Sequence, residues 1–280
     1  MKKRILTQIC AAVSAAALSL CAMPVHAAEK PLRFRVQPER YYVLASELKS
    51  GDVVLHSHVY IENYTDMTDL VVSLKCDAPL SLENGAFVEN PSYFEKNSLQ
   101  TFRQKDINGK VINRAVWYGP EDANYRHEKG IVANPNAPLL QFDLRIPQDT
   151  AVGSYAAGFD TDSDDETGSG VLTPHCRLLN DLLVLTPVYV SAVLTVEPTY
   201  QAGDVDDDKK LSLDDALSVL QYYTAKDLLH NVEEDYLERY FSAKYVHSAR
   251  EAADYDGSGA VDMDDALAIM HAYTGSLLNK

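Results

Sequence analysis

The sequence predicts a multidomain protein in which an all-β sandwich of the jelly-roll type precedes a small all-α domain. Before residue 198, apolar and polar residues alternate along several segments, as in strands with one buried face. After residue 199 the apolar spacing becomes helical, and one stretch repeats at a shift of 50 residues. We therefore divide the chain into a leader at 1–27, a sandwich at 28–198 and a helical domain at 199–280.

The leader has the three parts of a secretory signal peptide. Lys2, Lys3 and Arg4 form a basic start, an apolar run extends to Ala22, and cleavage is expected after Ala27. No other stretch approaches the roughly 20 apolar residues of a membrane span. We therefore expect a secreted, extracellular product without a membrane span.

Cleavage would leave a strongly acidic chain. The leader holds three of the 25 basic residues, so 22 remain against 41 acidic residues, a net charge of −19. Because phosphates require basic surfaces, the class of nucleic-acid binders is excluded. Two of the four cysteines leave with the leader. Cys76 and Cys176 remain, and the sequence leaves open whether they form a disulfide.

Three segments of the predicted sandwich show the alternation most clearly. They lie at 53–61, 140–146 and 188–196. Their predicted inward residues are Val53, Leu55, Ser57, Val59 and Ile61; Leu140, Phe142, Leu144 and Ile146; and Val188, Val190, Ala192, Leu194 and Val196. Gly, Pro and Asn separate such segments, which is typical of an antiparallel sandwich.

The repeat in the helical domain consists of two acidic loops of twelve residues, each leading into an amphipathic helix. Loop one is Asp204–Asp215 and loop two is Asp254–Asp265. Calcium takes roughly six to eight oxygen ligands, which such loops offer from positions 1, 3, 5, 7, 9 and 12. The predicted ligands of two Ca²⁺ ions are Asp204, Asp206, Asp208, Lys210 (carbonyl), Ser212 and Asp215, and Asp254, Asp256, Ser258, Ala260 (carbonyl), Asp262 and Asp265.

Loop two fits this pattern better than loop one. Position 6 favours glycine, and it is Gly259 in loop two but Lys209 in loop one. Position 12 is Asp in both loops, whereas ordinary EF-hands have the longer Glu. A pair of solvated acidic helix starts is the alternative interpretation. Two loops with acidic residues at the same positions favour calcium binding over this alternative.

The tandem of loop–helix units with Asp at position 12 closely resembles a dockerin, over residues 203–275. Dockerins are calcium-dependent modules that attach proteins to the cohesin modules of cellulosomes. The spacing between the loops is longer than in the commonest type. Residues 226–252 predict an additional helix here, with Leu237, Tyr240, Phe241 and Tyr245 on one stripe.

The resemblance implies a partner-contact surface at loop positions 10 and 11 and on the helix that follows each loop. These residues are Leu213, Asp214, Leu220 and Gln221 in the first unit, and Met263, Asp264, Met270 and His271 in the second. Leu220 and Met270 suit either the core or the contact surface. We assign Leu217 and Leu267 to the core.

The predicted sandwich resembles a cohesin, through motifs that are generic to β-sandwiches. They are Gly51–Val54, Val59–Asn63, Leu70–Asp77, Leu139–Pro147, Ala151–Tyr155 and Val188–Val196. With both resemblances, the chain is similar to a small adaptor scaffoldin. The cohesin-like part would bind the dockerin of an enzyme or other cargo, and the dockerin-like part would bind a cohesin of a larger scaffold, associating the protein with the cell surface.

Two other functions remain open at this point. A dockerin-bearing carbohydrate-binding protein would stack sugars on exposed aromatic side chains, for which Trp117-Tyr118 is the candidate pair, although its strand-like context favours a buried Trp117. An enzyme is disfavoured, because the Gly-x-Ser-x-Gly, His-Glu-x-x-His and Cys/His nucleophile patterns are missing from the sequence.

Two smaller features also have a metal-binding alternative. His56 and His58 share one strand face, and we interpret them as exposed side chains. The stretch 160–170 imitates the start of a calcium loop, but its position 12 is Val171. We interpret it as a solvated hairpin loop.

Overall fold

The computed structural model describes most of the predicted sandwich and helical domain. The described residues are 31–63, 67–88, 99–107, 110–118, 136–161, 175–178, 184–185, 187–230 and 239–278. The predicted signal peptide and residues 162–170 of the predicted hairpin loop lie outside them. Within these ranges, no helix is both long and apolar enough to cross a membrane.

The described residues contain thirteen strands and four α-helices. The strands are β1 Arg33–Pro38, β2 Tyr42–Leu44, β3 Val53–Glu62, β4 Met67–Cys76, β5 Ser81–Phe87, β6 Leu99–Ile107, β7 Lys110–Tyr118, β8 Leu140–Ile146, β9 Gly153–Phe159, β10 His175–Leu178, β11 Val184–Leu185, β12 Val188–Val190 and β13 Ala192–Glu197. The helices are α1 Ala45–Leu48, α2 Leu213–Tyr223, which continues into a π-helical turn at Thr224–Leu228, α3 Val246–Ala253 and α4 Met263–Leu278.

The strands form two sheets that enclose one core, which confirms the predicted β-sandwich. Sheet A has the order β12-β1-β3-β8-β5. Sheet B has the order β11-β10-β4-β9-β13-β2, with β7 pairing to β4 and β6 pairing to β7. Most pairs are antiparallel, but β1 pairs in parallel with β12, and β2 pairs in parallel with β13.

The predicted alternation is confirmed in β3 and β8. Leu55, Ser57, Val59 and Ile61 are buried, whereas Val54 and His56 on the opposite face are exposed. In β8, Leu140, Phe142, Leu144 and Ile146 are buried. These two strands pair over seven residues, so their apolar faces combine into the centre of the core on the side of sheet A.

The predicted single strand at 188–196 is wrong, because the chain changes sheets inside it. β12 lies in sheet A and β13 lies in sheet B, with Ser191 between them. Val188 was expected to face the core but is 44% exposed, whereas Leu194 is buried. The alternation continues through the crossing, so the apolar pattern alone does not mark it. The N-terminal segment crosses in the same way between β1 and β2.

Cys76 and Cys176 are too far apart to form a disulfide. In the register of β4, Cys76 lies opposite Ala157 and Cys176 lies opposite Leu70. Six residues of strand separate these positions, about 20 Å, whereas a disulfide requires Cα atoms within about 7 Å. Cys76 is a free thiol whose Sγ donates to the Leu80 carbonyl at 3.1 Å.

A second, smaller core lies in the helical segment. Val219 of α2 and Ile269 of α4 are fully buried in it, together with Phe241 and Ala249. The stripe predicted on a helix within 226–252 is not helical where it is described. Tyr240 and Phe241 precede α3, and Tyr245 is its N-cap in an extended conformation. Leu237 lies outside the described residues.

The sheet crossing depends on a close contact between Gly158 of β9 and Ser191. A Cβ atom on Gly158 would lie 1.8 Å from Ser191 Oγ and 2.8 Å from its Cα. We expect Gly158→Ala to lower the free energy of unfolding by about 1–3 kcal/mol, because the crossing must shift to admit the methyl group. Urea unfolding followed by intrinsic fluorescence measures this loss.

Gly153→Ala in the same strand is the matched control. A Cβ atom there would meet its nearest neighbours at 3.9 Å, an ordinary contact distance. Adding Ser191→Gly to Gly158→Ala should restore part of the stability, since it removes the closest atoms. Equal effects of the two glycine substitutions would contradict this account of the crossing.

Candidate functional site

The two acidic loops adopt the same backbone conformation. Positions 4 and 6 have positive φ in both loops, with Asp207 at 58° and Lys209 at 69°, and Gly257 at 72° and Gly259 at 88°. Only glycine adopts such angles without steric cost. Loop one therefore folds like loop two despite lacking both glycines, and the repeat extends from sequence to structure.

In loop one, backbone N–H groups orient the carboxylates of two predicted ligands, Asp204 and Asp206. Asp204 is fully buried and accepts from the backbone N–H groups of Asp208 and Lys209, each at 3.1 Å. Asp208 N also donates to Asp206 Oδ1 at 3.0 Å. These bonds direct the carboxylates toward the inside of the loop.

Position 12 of loop one connects the loop to α2. Asp215, in the first turn of the helix, is 1% exposed. Its carboxylate accepts from Val205 N at 2.9 Å, and from Ser212 N at 2.8 Å. Ser212 in turn caps the helix, because its Oγ accepts from Asp214 N at 3.1 Å. The start of the helix is thereby fixed to both ends of the loop.

Loop two repeats this arrangement. Asp254 Oδ2 accepts from Gly259 N at 2.8 Å, as Asp204 does from Lys209. Asp265 is fully buried and accepts from Asp262 N at 2.8 Å and from Asp256 N at 3.2 Å. The second oxygen of Asp254, Oδ1, is buried and has no hydrogen-bond partner.

Each loop brings three carboxylates close enough to share one cation. Oxygen atoms of Asp204, Asp206 and Asp208 lie within 4.8 Å of one another, and so do oxygen atoms of Asp254, Asp256 and Asp265. The predicted ligands Asp215 and Asp262 are not part of these groups. Hard carboxylate oxygens at this spacing suit Ca²⁺, so the donor chemistry fits the ion predicted from the sequence.

The carboxylates lie close together at an electrostatic cost. Burial raises the pKa of Asp204 above its ordinary value, and the nearby carboxylates of Asp215 and Asp206 raise it further. Burial likewise raises the pKa of Asp265, with Asp256 adding to the effect. A divalent cation would remove this repulsion, because it compensates the charge that burial and crowding make unfavourable.

The assignment of Leu217 and Leu267 to the core is wrong. Their exposed fractions are 50% and 40%. The core side of α2 is formed instead by Ala216, Val219 and Tyr222, three residues apart, so Leu217 is turned away from it. The sequence does not indicate which side of α2 faces the core, because apolar residues lie on two sides of the helix. The packing partner decides which side is buried.

The two helices consequently expose matching apolar stripes. Stripe one consists of Leu213, Leu217 and Leu220, and stripe two consists of Met263, Leu267 and Met270, both spaced i, i+4, i+7. The remaining predicted partner-contact residues, Asp214, Gln221, Asp264 and His271, are exposed as well. Leu220 and Met270, which suited either role, therefore lie on the surface.

The sandwich places its own candidate residues differently. Trp117 is 1% exposed on the inner face of β7, so it is unable to stack on a sugar. His56 Nδ1 lies 2.6 Å from Asp143 Oδ1, while His58 lies beside Tyr60 with their ring centroids 6.2 Å apart. The pKa of Asp143 is held below its ordinary value chiefly by a hydrogen bond from Asn84, and also by His56.

No protein-family model matches the chain, and no curated protein matches it either. Solved structures do match. One is a type III cohesin module from a cell-surface anchoring scaffoldin of Ruminococcus flavefaciens, 12% identical, with a TM-score of 0.43 over 62% of this chain and 93% of that one.

Two further matches have similar coverage. A type I cohesin from Pseudobacteroides cellulosolvens is 16% identical, with a TM-score of 0.36 over 59% of this chain and 93% of that one. A non-cellulosomal cohesin from Archaeoglobus fulgidus is 13% identical, with a TM-score of 0.34 over 59% of this chain and 91% of that one. These neighbours are cohesin modules. Their sequence identity to this chain is low.

The backbone strain in loop one has a measurable consequence. Lys209 adopts φ 69°, where the equivalent residue of loop two is Gly259. We expect Lys209→Gly to raise the free energy of unfolding of the helical segment by about 1 kcal/mol, because it removes a left-handed non-glycine residue. Thermal unfolding followed by circular dichroism at 222 nm in EDTA measures the gain.

The reciprocal substitution is the control. Gly259→Lys places a side chain at φ 88° with no atom within 4 Å of its Cβ, so it adds the strain without a steric clash. It should destabilise the segment by a similar amount. A stabilising or neutral Gly259→Lys would show that the loop conformations do not limit stability.

Proposed function

We propose that this protein is a non-catalytic adaptor of an extracellular cellulosome. Its helical segment would bind a cohesin of a larger scaffold in a calcium-dependent way, and its sandwich would bind the dockerin of an enzyme or other cargo. The observation that carries the proposal is the pair of equivalent acidic loops, each leading into a helix with an exposed apolar stripe. Each loop and the helix that follows it would then bind the metal ion and the partner together.

The residues of both loops support two calcium sites. In each loop, a buried carboxylate in the first turn of the helix also accepts N–H groups of the loop. A cation held by Asp204, Asp206 and Asp208, or by Asp254, Asp256 and Asp265, would therefore fix the loop relative to the helix behind it. When bound, calcium would supply charge compensation and rigidity, and no catalytic chemistry.

The exposed stripes support the role of the helical segment as a binding module. Leucine and methionine side chains on a helix surface lose contact with water when a partner covers them, which favours association. Stripe one and stripe two each offer three such side chains, flanked by the exposed carboxylates of Asp214 and Asp264. A partner with a flat apolar sheet surface and nearby basic or amide groups would match them.

Two observations on the sandwich support a binding role over the alternatives. The single tryptophan is buried, which removes the best candidate for sugar stacking. On the outer face of sheet A, the ionic pair of Arg145 with Asp52 consists of mutually compensated side chains, and Asp143 lies within hydrogen-bond distance of His56. A cargo-binding module at residues 28–198 is therefore the function we propose for the sandwich.

Removing calcium should destabilise the helical segment. We expect excess EDTA to reduce helix circular dichroism and to lower the thermal midpoint of the helical segment, because crowded carboxylates repel one another without the cation. Magnesium, which is smaller and demands octahedral geometry, should restore the signal only weakly. An EDTA spectrum identical to the calcium spectrum would refute the calcium sites.

The stripes can be tested separately from the metal. We expect the double variant Leu217→Asp and Leu267→Asp to weaken cohesin binding more than about tenfold, because each change places a charge in a contact that must be desolvated. Both side chains are exposed, so the fold and the calcium affinity should be retained. Leu229→Asp, at a site 67% exposed outside both stripes, is the matched control.

The decisive experiment immobilises the full chain and offers it purified cohesin modules, purified dockerin modules and insoluble cellulose, xylan and starch. Cohesin binding that is lost in EDTA and in the stripe variant, together with dockerin binding that survives the stripe variant, would establish the adaptor. Retention on a polysaccharide without dockerin binding would make the sandwich a sugar-binding module instead.

A further inference from the structure

Helix α3 connects loop two to the sandwich. It spans Val246–Ala253, and its C-cap is Asp254, the first predicted ligand of loop two. Its last two residues, Ala252 and Ala253, are buried. The Ala252 carbonyl accepts a hydrogen bond at 2.8 Å from the backbone N–H of Gly203, the residue directly before loop one. The C-terminal end of α3 is thus attached to both acidic loops.

The N-terminal end of α3 is capped by the sandwich. The N-cap residue Tyr245 makes no side-chain cap, although the first N–H groups of any helix need acceptors. Glu197, the last residue of β13, supplies one, because its Oε2 accepts from Ser248 N at 3.0 Å. The Ser248 hydroxyl lies 3.2 Å from the same oxygen and 2.6 Å from the Pro198 carbonyl.

This cap is buried and ionic. Glu197 is 5% exposed and Ser248 is fully buried, so the carboxylate meets the positive end of the helix away from water. Tyr200, in the connection that follows β13, accepts from Tyr245 N through its Oη at 3.3 Å. On the side of the sandwich, the rings of Tyr42 in β2 and His247 stack with centroids 3.5 Å apart. The sandwich therefore holds the first turn of α3 at several points.

We propose that Glu197 couples the cation in loop two to the attachment of α3 on the sandwich, so that calcium fixes the positions of the two binding ends relative to each other. The proposal rests on the calcium sites of the proposed function. A helix of eight residues is unstable by itself and forms only where its ends are held. One end of α3 is held by Glu197 and the other begins loop two, so each attachment stabilises the other.

Coupling of this kind is reciprocal. If calcium in loop two strengthens the Glu197 cap, then the cap must strengthen calcium binding by the same factor. We expect Glu197→Ala to weaken binding at one of two calcium sites by about threefold to tenfold, the effect of removing a partly buried charge from a helix terminus. A purely local role for Glu197 in the fold would leave calcium affinity unchanged.

The experiment uses the full chain and two measurements. Titration calorimetry gives the calcium affinities of the wild type, Glu197→Ala, Glu197→Gln and the control Glu83→Ala, whose carboxylate is on the outer face of sheet A and pairs with Arg145. Hydrogen exchange of the wild-type α3 amides, Ser248–Ala253, is compared with and without calcium. Asp256→Ala, which removes a loop-two ligand, is included in the exchange series.

The expected result is slower α3 exchange with calcium in the wild type, little calcium effect in Asp256→Ala, and a weakened site in Glu197→Ala but not in Glu83→Ala. Glu197→Gln keeps an acceptor oxygen without the charge, so its calcium affinity should lie between those of the wild type and Glu197→Ala. Wild-type calcium binding without slower α3 exchange overturns the coupling and leaves the proposed function intact, even if Glu197→Ala fails to fold. A wild type that binds no calcium overturns both.

Discussion

The helical segment depends on the burial of aspartate carboxylates against backbone N–H groups. Asp215 and Asp265 occupy the first turns of α2 and α4, where the positive end of each helix and the N–H groups of the loop stabilise their charge. The loops, the helix starts and the orientation of both stripes follow from these two side chains. This burial has a cost, because it raises the pKa of Asp265, as it does that of Asp204 at position 1 of loop one.

Much of this arrangement could be predicted from sequence, because a ligand pattern is local. Twelve residues contain a complete loop, and its duplication predicts both acidic loops together with the helix that follows each of them. The alternation in β3 and β8 is equally local, and it identified the buried faces of both strands. In these cases the residues that interact are close in the sequence, or repeat with the period of their own element.

The errors concern choices that depend on distant partners. The crossing at Ser191 occurs because β12 pairs with β1 and β13 pairs with β2, which the alternation in 188–196 does not encode. Leu217 and Leu267 are apolar, yet α2 and α4 pack through other residues. The Glu197 cap joins residues 51 positions apart, and no spacing rule indicates it. Tertiary pairing decided each of these outcomes.

The exposed stripes also affect whether copies of the protein associate with one another. Six large apolar side chains on a helical surface would promote self-association in a neutral protein. Residues 201–280 contain 17 acidic and 7 basic residues, so two such surfaces approach each other with like charge. The acidic residues thus act against clustering of the protein. Salt, which screens that repulsion, would shift the balance toward aggregation while leaving the apolar attraction in place.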